Sequence, residues 1–588
     1  MLSVILIWLY MLVTAFLLGY GILHCLTYVC PYQVKRWDSY VMCGLAGVTV
    51  YAQAFSIFAP VGLIANVVLA GICLVIACLC RKSLRADLRK AMEAVRKKKI
   101  EKTTFLLMLF LLFAYGASRG IIHYDTGLYH AQSIRWIEEY GIVKGLGNLH
   151  CRLAYNSASF ALSALYSFAF LGGASYHAAA GFFAFLLAVV CSELAGLKKR
   201  KSLKPSDFAR VMGIYYLLII FDEMVSPASD YFMVLTAFYI IIRWMDLLEE
   251  NEQTVFPYAM LCVLGVFLLT IKLSAALIIL LVIKPAAALL REKRWKEIVL
   301  YLFLGILTVL PFLIRNVILS GWLVYPFTGI DLFSSDWKIP KGIADYDARE
   351  IQVWGRGYHD VTKYDMPIWK WLPDWFRGIS GMDKIFVLAA LLAVLVFVLR
   401  LLVAIWKGWW QNAGEEKEAL RKVFTWDKLL LEGVVSVCFL FWLFSSPLIR
   451  YGCVYVYLTS AVIWGDMAAE FFHFCEQKLC REKNGEDKKR YWKYPECACM
   501  ILICLFLGYK AVMFGRELSA SYVNDYWICQ KDYDNYETQS YEIDGVTFYY
   551  PVTGDQTGYK SFPSSPTPAK IGLRGDTIRD GFFFCEED

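Results

Sequence analysis

The sequence predicts an all-α protein that crosses a membrane many times, and composition is the main reason. Hydrophobic residues make up 58% of the 588 residues, charged residues make up only 19%, and many separate apolar runs reach membrane-spanning length. A helix of about 20 apolar residues crosses the hydrocarbon core of a bilayer. The net charge of +7 comes from basic residues clustered in short loops, so binding to nucleic acid is not expected.

The candidate spans follow from the apolar runs. The first run lacks the basic start and the cleavage site of a signal peptide, so we expect it to remain as a helix. The candidates are 2–23, 41–58, 61–80, 104–121, 158–172, 175–195, 207–221, 231–247, 255–271, 273–290, 296–314, 384–407, 429–446, 451–468 and 495–514.

Basic loops set the predicted orientation. The loop 81–102 holds ten Lys/Arg against three acidic residues, which predicts a cytoplasmic position. Counting every candidate as a crossing would put four later basic loops outside, so we interpret the short segment 158–172 as dipping from the outer face without crossing. About fourteen crossings and two outer termini then result. The basic loops are 197–204, 291–297, 417–424 and 481–493.

Three regions are predicted along the chain: N-terminal helices with a basic loop, a transmembrane domain with two large outer loops, and a tail. Their bounds are 1–103, 104–514 with outer loops 122–174 and 315–383, and 515–588. The tail has DG and GD turns between alternating runs such as VTFYY, which predicts a small β-rich appendage. Cys529 and Cys585 bracket the tail and are candidates for a disulfide.

The stretch from Gly120 to Ser157 carries the densest polar chemistry. As an α-helix from about Asp125, it would place one polar stripe of Asp125, Tyr129, Gln132 and Trp136 toward a site. The loop after it offers donors for a sugar or a phosphate. An interfacial anchor helix with a loop explains the same residue types, and Asp125 also stands where a helix N-cap would. The candidate site residues here are His123, Asp125, Tyr129, His130, Gln132, Arg135, His150 and Arg152.

Acidic and basic groups also collect at other outer span ends. Asp222, Glu223 and Asp230 surround Pro227, and they either are solvated or face Asp125, where they would orient a nucleophile or a divalent metal ion. Outer cations run against the positive-inside bias, so they are candidates for binding a lipid phosphate or for salt bridges with these carboxylates. The basic set is Arg315 with the adjacent Asn316, Arg450 and, more weakly, Lys272.

Three stretches are similar to an uncharacterised family of bacterial multi-pass membrane proteins, over about 120–588. They are YDTGLYHAQSIRWIEEYGIVKGLGNLH, IRNVILSGWLVYPFTGIDLFSSDWKIP, and the tail's GDQTGY with LRG and DGF. That family in turn resembles the GT-C glycosyltransferases. The resemblance implies a GT-C-like helical bundle in the bacterial cytoplasmic membrane, with an acidic residue of the first large outer loop, here Asp125, as base or acceptor-orienting group. It also implies a polyprenyl-phosphate-linked sugar donor whose phosphate meets Arg315 or Arg450.

Two functions from different classes remain on the sequence. In the first, Asp125, with Asp230 as a second catalytic candidate, deprotonates an acceptor hydroxyl of a cell-envelope glycan, which then attacks the sugar of the lipid-linked donor. In the second, the same groups hold a lipid-linked saccharide during transport. Transporters often contain internal repeats and broken spans near the bilayer midplane. No repeat is evident in the sequence, which favours the transferase.

Overall fold

A computed structural model describes residues 1–97, 100–172, 175–200, 202–410, 425–481, 494–520 and 526–585. Within these ranges the protein is an all-α polytopic bundle with nine helices long and apolar enough to cross a membrane, or ten if one bent pair counts as a single span. The predicted basic loop 417–424 and nearly all of 481–493 lie outside the described residues.

The first half of the bundle contains long helices joined through short ones. Its helices are α1 (Leu2–Leu26), α2 (Trp37–Phe58), α3 (Leu63–Leu79), α4 (Arg81–Lys97), α5 (Ile100–Gly116), α6 (Ala131–Tyr140), α7 (Leu146–Leu149), α8 (Ala158–Leu165), α9 (Ala179–Cys191), α10 (Leu197–Arg200), α11 (Pro205–Ile219), α12 (Ser229–Glu249) and α13 (Val255–Ile271). A π-helical turn (Thr126–His130) precedes α6, and a 3₁₀ turn (Cys151–Tyr155) precedes α8.

The second half begins with a 3₁₀ segment (Leu273–Val282) that continues into a helix. Its helices are α14 (Ile283–Arg291), α15 (Trp295–Ser320), α16 (Lys341–Gly355), α17 (Ile368–Gly378), α18 (Gly381–Trp410), α19 (Trp426–Ser445), α20 (Ile449–Arg481) and α21 (Tyr494–Ala520).

Several predicted spans form helices shorter than the sequence suggested. Thr103–Gly116 and Val255–Ile271 are apolar but have fewer than 18 residues, so fewer helices meet the length and composition criterion than the fourteen crossings expected. The eight residues of α8 rise about 12 Å, too little to cross a hydrocarbon core of about 30 Å. Ala158–Leu171 is as short as Thr103–Gly116, which was expected to cross, so length does not separate the two, and the non-crossing of 158–172 stays a prediction.

One end of the bundle, called the site face below, gathers the N-terminus, the residues after α5 and the tail. The backbone N–H of Leu2 donates to the carbonyl of Trp527 at 3.0 Å, and that of Lys531 donates to the carbonyl of Ser118 at 2.9 Å. These contacts bring the N-terminus and the start of the tail next to the segment that leads to Asp125.

The basic helix α4 lies at the opposite end. α3 starts beside the site face, where Val61 N–H donates to the carbonyl of Ile137, and the α3–α4 pair bends by 82° at the break between the two helices. On α4, Asp87 accepts a hydrogen bond of 2.9 Å from Tyr20, near the far end of α1. The α4 part of the predicted basic loop is therefore a helix on the face opposite Asp125.

The predicted outer loop 315–383 folds into amphipathic helices on the site face. In α17, Trp371 and Trp375 are buried, whereas Ile368 and Trp369 are exposed. The indole of Trp375 donates to the carbonyl of Pro447 at 2.8 Å, which attaches α17 to the turn between α19 and α20.

The tail contains two small antiparallel sheets, as its alternating pattern predicted. β1 (Thr538–Ile543) pairs with β2 (Val546–Pro551) through a DG turn in which both residues have positive φ. β3 (Ile571–Leu573) pairs with β4 (Phe582–Phe584).

The predicted disulfide is not formed, since Cys529 and Cys585 are free thiols. Their neighbours explain this. The Cys529 sulfur lies 3.8 Å from the hydroxyl of Tyr176. The backbone N–H of Cys585, just after β4, donates to the carbonyl of Lys570.

A single large hydrophobic core joins the N-terminal helices to the tail. It runs from Val4 in α1 through the central helices to Phe548 in β2 and Phe582 in β4. The β-rich tail therefore packs on the helical bundle, and this packing brings the tail against the segment that carries Asp125.

Candidate functional site

The segment around Asp125 is held by a break in regular α-helix geometry. Residues Thr126–His130 form a π turn, in which hydrogen bonds span five residues, and π turns occur often at functional sites. The backbone N–H of Asp125 donates to Nδ1 of His123 at 3.1 Å. The carboxylate of Asp125 makes no capping bond, so the N-cap alternative for this residue is not what the structure shows.

The guanidinium of Arg450 joins two carboxylates that lie far apart in sequence. Its Nη2 is 3.0 Å from Oδ2 of Asp125, and its Nε is 3.5 Å from Oδ2 of Asp230 in the first turn of α12. Lys272, in the extended residue after α13, forms an ion pair with the other oxygen of Asp230. Charged groups with little solvent exposure are usually paired. Arg450 therefore forms the salt bridges that the sequence offered as the alternative to binding a lipid phosphate.

A cavity of about 250 Å³ opens beside this cluster at the site face. Asp125, Asp230, Lys272 and Arg450 all line it, as do the ends of α12, α13, α15, α19 and α20. The lining also includes polar, charged and aromatic side chains that could contact a ligand, which are those of Tyr129, Arg152, Tyr155, Tyr325, Glu350 and Trp354.

Arg152 differs from the other cations of the cavity. Its guanidinium carbon lies 5.4 Å from the centre of the Trp354 ring, a cation–π distance. Among the described residues it has no carboxylate within 4.0 Å and no hydrogen-bond partner. Arg152 therefore presents free donors to the cavity, while Asp125 and Glu350 of the same lining act on its charge from beyond ion-pair distance.

The structure adds a group of residues that the sequence did not single out. Asp347 of α16 accepts hydrogen bonds of 2.9 Å from both Tyr155 and Tyr325, and these phenols shape the cavity wall. Burial raises the pKa of Asp347 and also that of Glu350, one turn further on. The i, i+3 spacing of these two acids on an amphipathic helix was the signal that could have found them.

Two predicted substrate-binding residues contact the tail instead of the cavity. Gln132 donates to the carbonyls of Gly558 and Ser561 at 2.8 and 2.9 Å. Arg135 donates to the carbonyl of Tyr559 at 2.6 Å. The predicted stripe assumed an α-helix throughout, but the π turn winds more residues into one turn and shifts the residues after it. Asp125 and Tyr129 consequently line the cavity, whereas Gln132 faces the tail.

The three histidines of this region lie outside the cavity lining. His123 packs against Arg450 and faces Asp125, and His130 is buried with its Nδ1 3.1 Å from the Thr126 hydroxyl. Burial lowers the pKa of both rings. Burial also lowers the pKa of His150 to about 3, and its Nε2 has no partner among the described residues.

Asp222 and Glu223 are near the site but do not line its cavity. Asp222 forms an ion pair with Arg119, and Glu223 accepts a hydrogen bond from Tyr231. Of the three carboxylates around Pro227, which the structure describes in full, Asp230 alone lines the cavity.

Arg315 and Asn316 are buried within the bundle. Arg315 donates to Oδ1 of Asn156 at 2.9 Å and also contacts Ser56 and the carbonyl of Gly141. Asn316 accepts from the Asn156 amide at 2.9 Å. The Arg315 guanidinium thus links α2, α15 and the residues after α6 through neutral acceptors. It lies away from the large cavity.

The geometry offers little to a divalent metal ion. No group of three or more His, Cys, Asp or Glu side chains suited to a metal occurs in the part of the chain that the structure describes. Asp125 and Asp230, the two cavity carboxylates considered for such a role, already face Arg450, and that positive charge would repel a metal cation.

Comparison with protein families places the chain in context. The family described as domain of unknown function DUF8201 matches residues 1–457, which include every charged residue of the cavity and leave out the tail. No curated protein and no solved structure matches the chain.

Proposed function

The chain belongs to the DUF8201 family, and from this premise we propose that it is a membrane glycosyltransferase of GT-C type. It would transfer a sugar from a polyprenyl-phosphate-linked donor to a cell-envelope glycan or other acceptor. The single observation that carries this proposal is that Arg152, a cation with no carboxylate within 4.0 Å among the described residues, shares one cavity with the carboxylates Asp125 and Asp230. Such a cavity suits a ligand that brings its own negative charge next to a proton acceptor.

The orientation in the membrane belongs to the same proposal. The arginines and lysines of α4 favour a cytoplasmic position for that end of the bundle. The site face, both termini and the tail would then lie outside the bacterial cytoplasmic membrane, where envelope acceptors are found. The amphipathic helices α16 and α17 would lie along the outer surface as a GT-C-like feature.

Asp125 is the proposed base. Its carboxylate would accept the proton of an acceptor hydroxyl, the oxygen would attack the anomeric carbon, and the bond from that carbon to the phosphate oxygen would break. The polyprenyl phosphate leaves with the bonding electrons. Asp230 would hold Arg450 and Lys272 in place, and Arg450 would orient Asp125 through their 3.0 Å contact.

Arg152 is the proposed partner of the donor phosphate. The sequence resemblance gave this role to Arg315 or Arg450, but Arg315 is bonded inside the bundle and Arg450 holds two carboxylates. Arg152 has free donors at the cavity wall, and a guanidinium binds phosphate through paired N–H groups. Trp354 beside it offers an aromatic face to a sugar ring.

The test is a comparison of wild type with Asp125→Asn after reconstitution with a labelled polyprenyl-linked sugar pool and envelope acceptors. A general base contributes typically 10²- to 10⁴-fold to rate, so the variant should lose sugar transfer while keeping donor binding. Mass spectrometry of the products and donor binding are measured together. Asp374→Asn, the same change at an exposed carboxylate of α17 outside the cavity, is the matched control and should transfer normally. Full activity in Asp125→Asn would refute the assignment.

A carrier of lipid-linked saccharides is the second candidate, and one observation favours it. The cavity opens at the site face, while an ion-pair network around Arg243 and Asp246 fills the opposite end of the same bundle. A carrier open to one side has this arrangement. Transport of labelled lipid across a proteoliposome membrane, with no new glycosidic bond, would select this function.

A further inference from the structure

The tail motif GDQTGY, which occupies 554–559, contacts the backbone on both sides of Asp125. The backbone N–H groups of Thr557 and Gly558 donate to the carbonyl of Gly127 at 3.0 and 2.9 Å. The side-chain amide of Gln556 donates to the carbonyl of Tyr124 at 2.6 Å. The tail thus binds the residue before Asp125 and the residue two positions after it.

Side chains strengthen this contact. Asp555 accepts a hydrogen bond from the hydroxyl of Tyr124. The approach is so close at Gly127 that a Cβ there would lie 2.4 Å from the Tyr536 hydroxyl and 3.0 Å from the Gln556 amide nitrogen, closer than real Cβ atoms pack. A side chain at 127 would force the Tyr536 and Gln556 side chains to shift, so glycine suits this close contact.

The tail turn is itself shaped for this task. Gly554 and Gly558 both have positive φ, and Asp534 accepts from the backbone N–H of Tyr559 at 3.1 Å. Gln132 of α6 holds the carbonyl of Gly558 from the other side. The turn is thus fixed by the tail on one side and by the helix after the π turn on the other.

We infer that the turn Asp555–Gly558 is a positioning element of the site, which holds the π turn so that Asp125 reaches Arg450 and the cavity. The inference rests on the proposed function for its catalytic consequence. A single π turn lacks the regular bonding of an α-helix, and short irregular segments open readily when few contacts hold them. The Gly127 carbonyl finds its partners in the tail, so holding this segment depends on residues more than 400 positions away.

Hydrogen–deuterium exchange of the full-length protein tests the holding itself. Asp555→Ala combined with Gln556→Glu removes the acceptor for Tyr124 and the donor to its carbonyl, and the second change keeps the side-chain shape. Exchange of the peptide 122–131 should rise by about 10-fold as the local opening becomes easier, while exchange of β1 and β2 stays unchanged. Arg574→Ala, which removes the tail's 2.7 Å ion pair with Asp336 in another loop, is the matched control.

Steady-state transfer then tests the catalytic consequence. The double variant should lose about 10²-fold in kcat, as a small misplacement of a catalytic group does, with the KM for the donor within about 3-fold of wild type. Gln556→Glu alone should lose part of this activity, and Gln556→Asn should not restore it because the amide is one methylene shorter. Unchanged exchange in the peptide 122–131 would overturn the holding role, whether or not the protein transfers sugar.

The two failures are distinguishable. Raised exchange with an unchanged kcat in an active protein would overturn the positioning role and leave the tail as an anchor. A wild-type protein that transfers no sugar from any donor in the pool would remove the proposed function and its catalytic consequence, while the exchange result would still decide whether the tail holds the π turn.

Discussion

The two ends of the bundle both contain clusters of arginines and carboxylates, yet the clusters differ in what remains free. At the opposite end, Arg243 contacts Asp38 at 2.9 Å and Asp246 at 2.8 Å, and Arg210 contacts Asp246 at 2.6 Å. These side chains are at most 8% exposed, and the cavity beside them is about 90 Å³. At the site face, the cavity is about 250 Å³ and Arg152 has no carboxylate within 4.0 Å among the described residues.

The difference teaches that buried charge by itself does not mark a site. Both clusters lie on α12, where the 16 residues between Asp230 and Asp246 rise about 24 Å. The opposite cluster neutralises its own charges and joins α2, α11, α12 and the 3₁₀ turn Ser192–Gly196 that follows α9, so it closes that end of the bundle. The site-face cluster places Arg152 and the carboxylates of Asp125 and Asp230 beside an open cavity, which a ligand can occupy.

The largest expected effect would break the closed end. Arg243→Ala leaves Asp38 and Asp246 with one buried partner fewer, and such a loss costs roughly 3–5 kcal/mol. We expect a strongly lowered Tm in detergent and unchanged donor affinity in the folded fraction. Arg36→Ala is the control at the exposed rim of the same network and should lower the Tm far less. A wild-type Tm for Arg243→Ala would contradict the closure role.

The second prediction concerns the site face, where we expect a loss of donor affinity with an unchanged Tm. Arg152→Ala should weaken polyprenyl-phosphate binding by roughly 10- to 100-fold, because a charged hydrogen-bond partner of the phosphate is lost, while the Tm stays close to wild type. Arg152→Lys should fall between the two, since it keeps the charge and loses the planar donor pair. Isothermal titration in nanodiscs gives the Kd.

The control for that titration is Arg349→Ala, an exposed arginine of α16 that does not line the cavity. It should bind as wild type does. Equal affinities in Arg152→Ala and wild type would remove Arg152 from the donor site, and a matching loss in Arg349→Ala would show that surface charge, not the cavity, governs binding.

The smallest effect concerns Glu138, a partly buried acid of the site face that has hydroxyl partners instead of arginines. Burial raises the pKa of Glu138 to about 7, although Tyr559 and Ser175 donate to its carboxylate. Because the folded-state pKa exceeds the ordinary value of 4.5, stability is full below pH 4.5 and falls as pH rises to about 7. The Tm should drop by about 2–4 °C over this window.

Glu138→Gln should remove most of that pH slope, because the amide does not ionise. Glu139→Gln, the same change at the exposed neighbour, is the control and should keep the slope. Scanning fluorimetry at several pH values measures it. An identical slope in Glu138→Gln and wild type would mean that another group sets the pH response of the site face.

Much of the site could be read from residue types, but not its partnerships. Asp125, Asp230, Arg152 and Arg450 were all identified as candidates, because charged groups beside apolar spans are costly and rarely incidental. Gln132 contacts the tail although the predicted stripe pointed it toward the site, since an α-helical period cannot reveal a π turn. Arg135, a candidate outside that stripe, contacts the tail as well. Arg315 resembled Arg450 in its sequence position, and only the fold separates a buried arginine among neutral acceptors from one at a cavity.

The sequence by itself determined the class of this protein, because the length and composition of apolar runs decide whether a helix is stable in a bilayer, and alternation with DG turns decides a hairpin. Tertiary structure decided the rest. It brought Asp125, Asp230, Lys272 and Arg450 together from four separate elements, left Arg152 beyond ion-pair distance of the described carboxylates, and laid the tail across the π turn. Contacts between residues hundreds of positions apart depend on how the helices pack, and no local pattern in the chain encodes them.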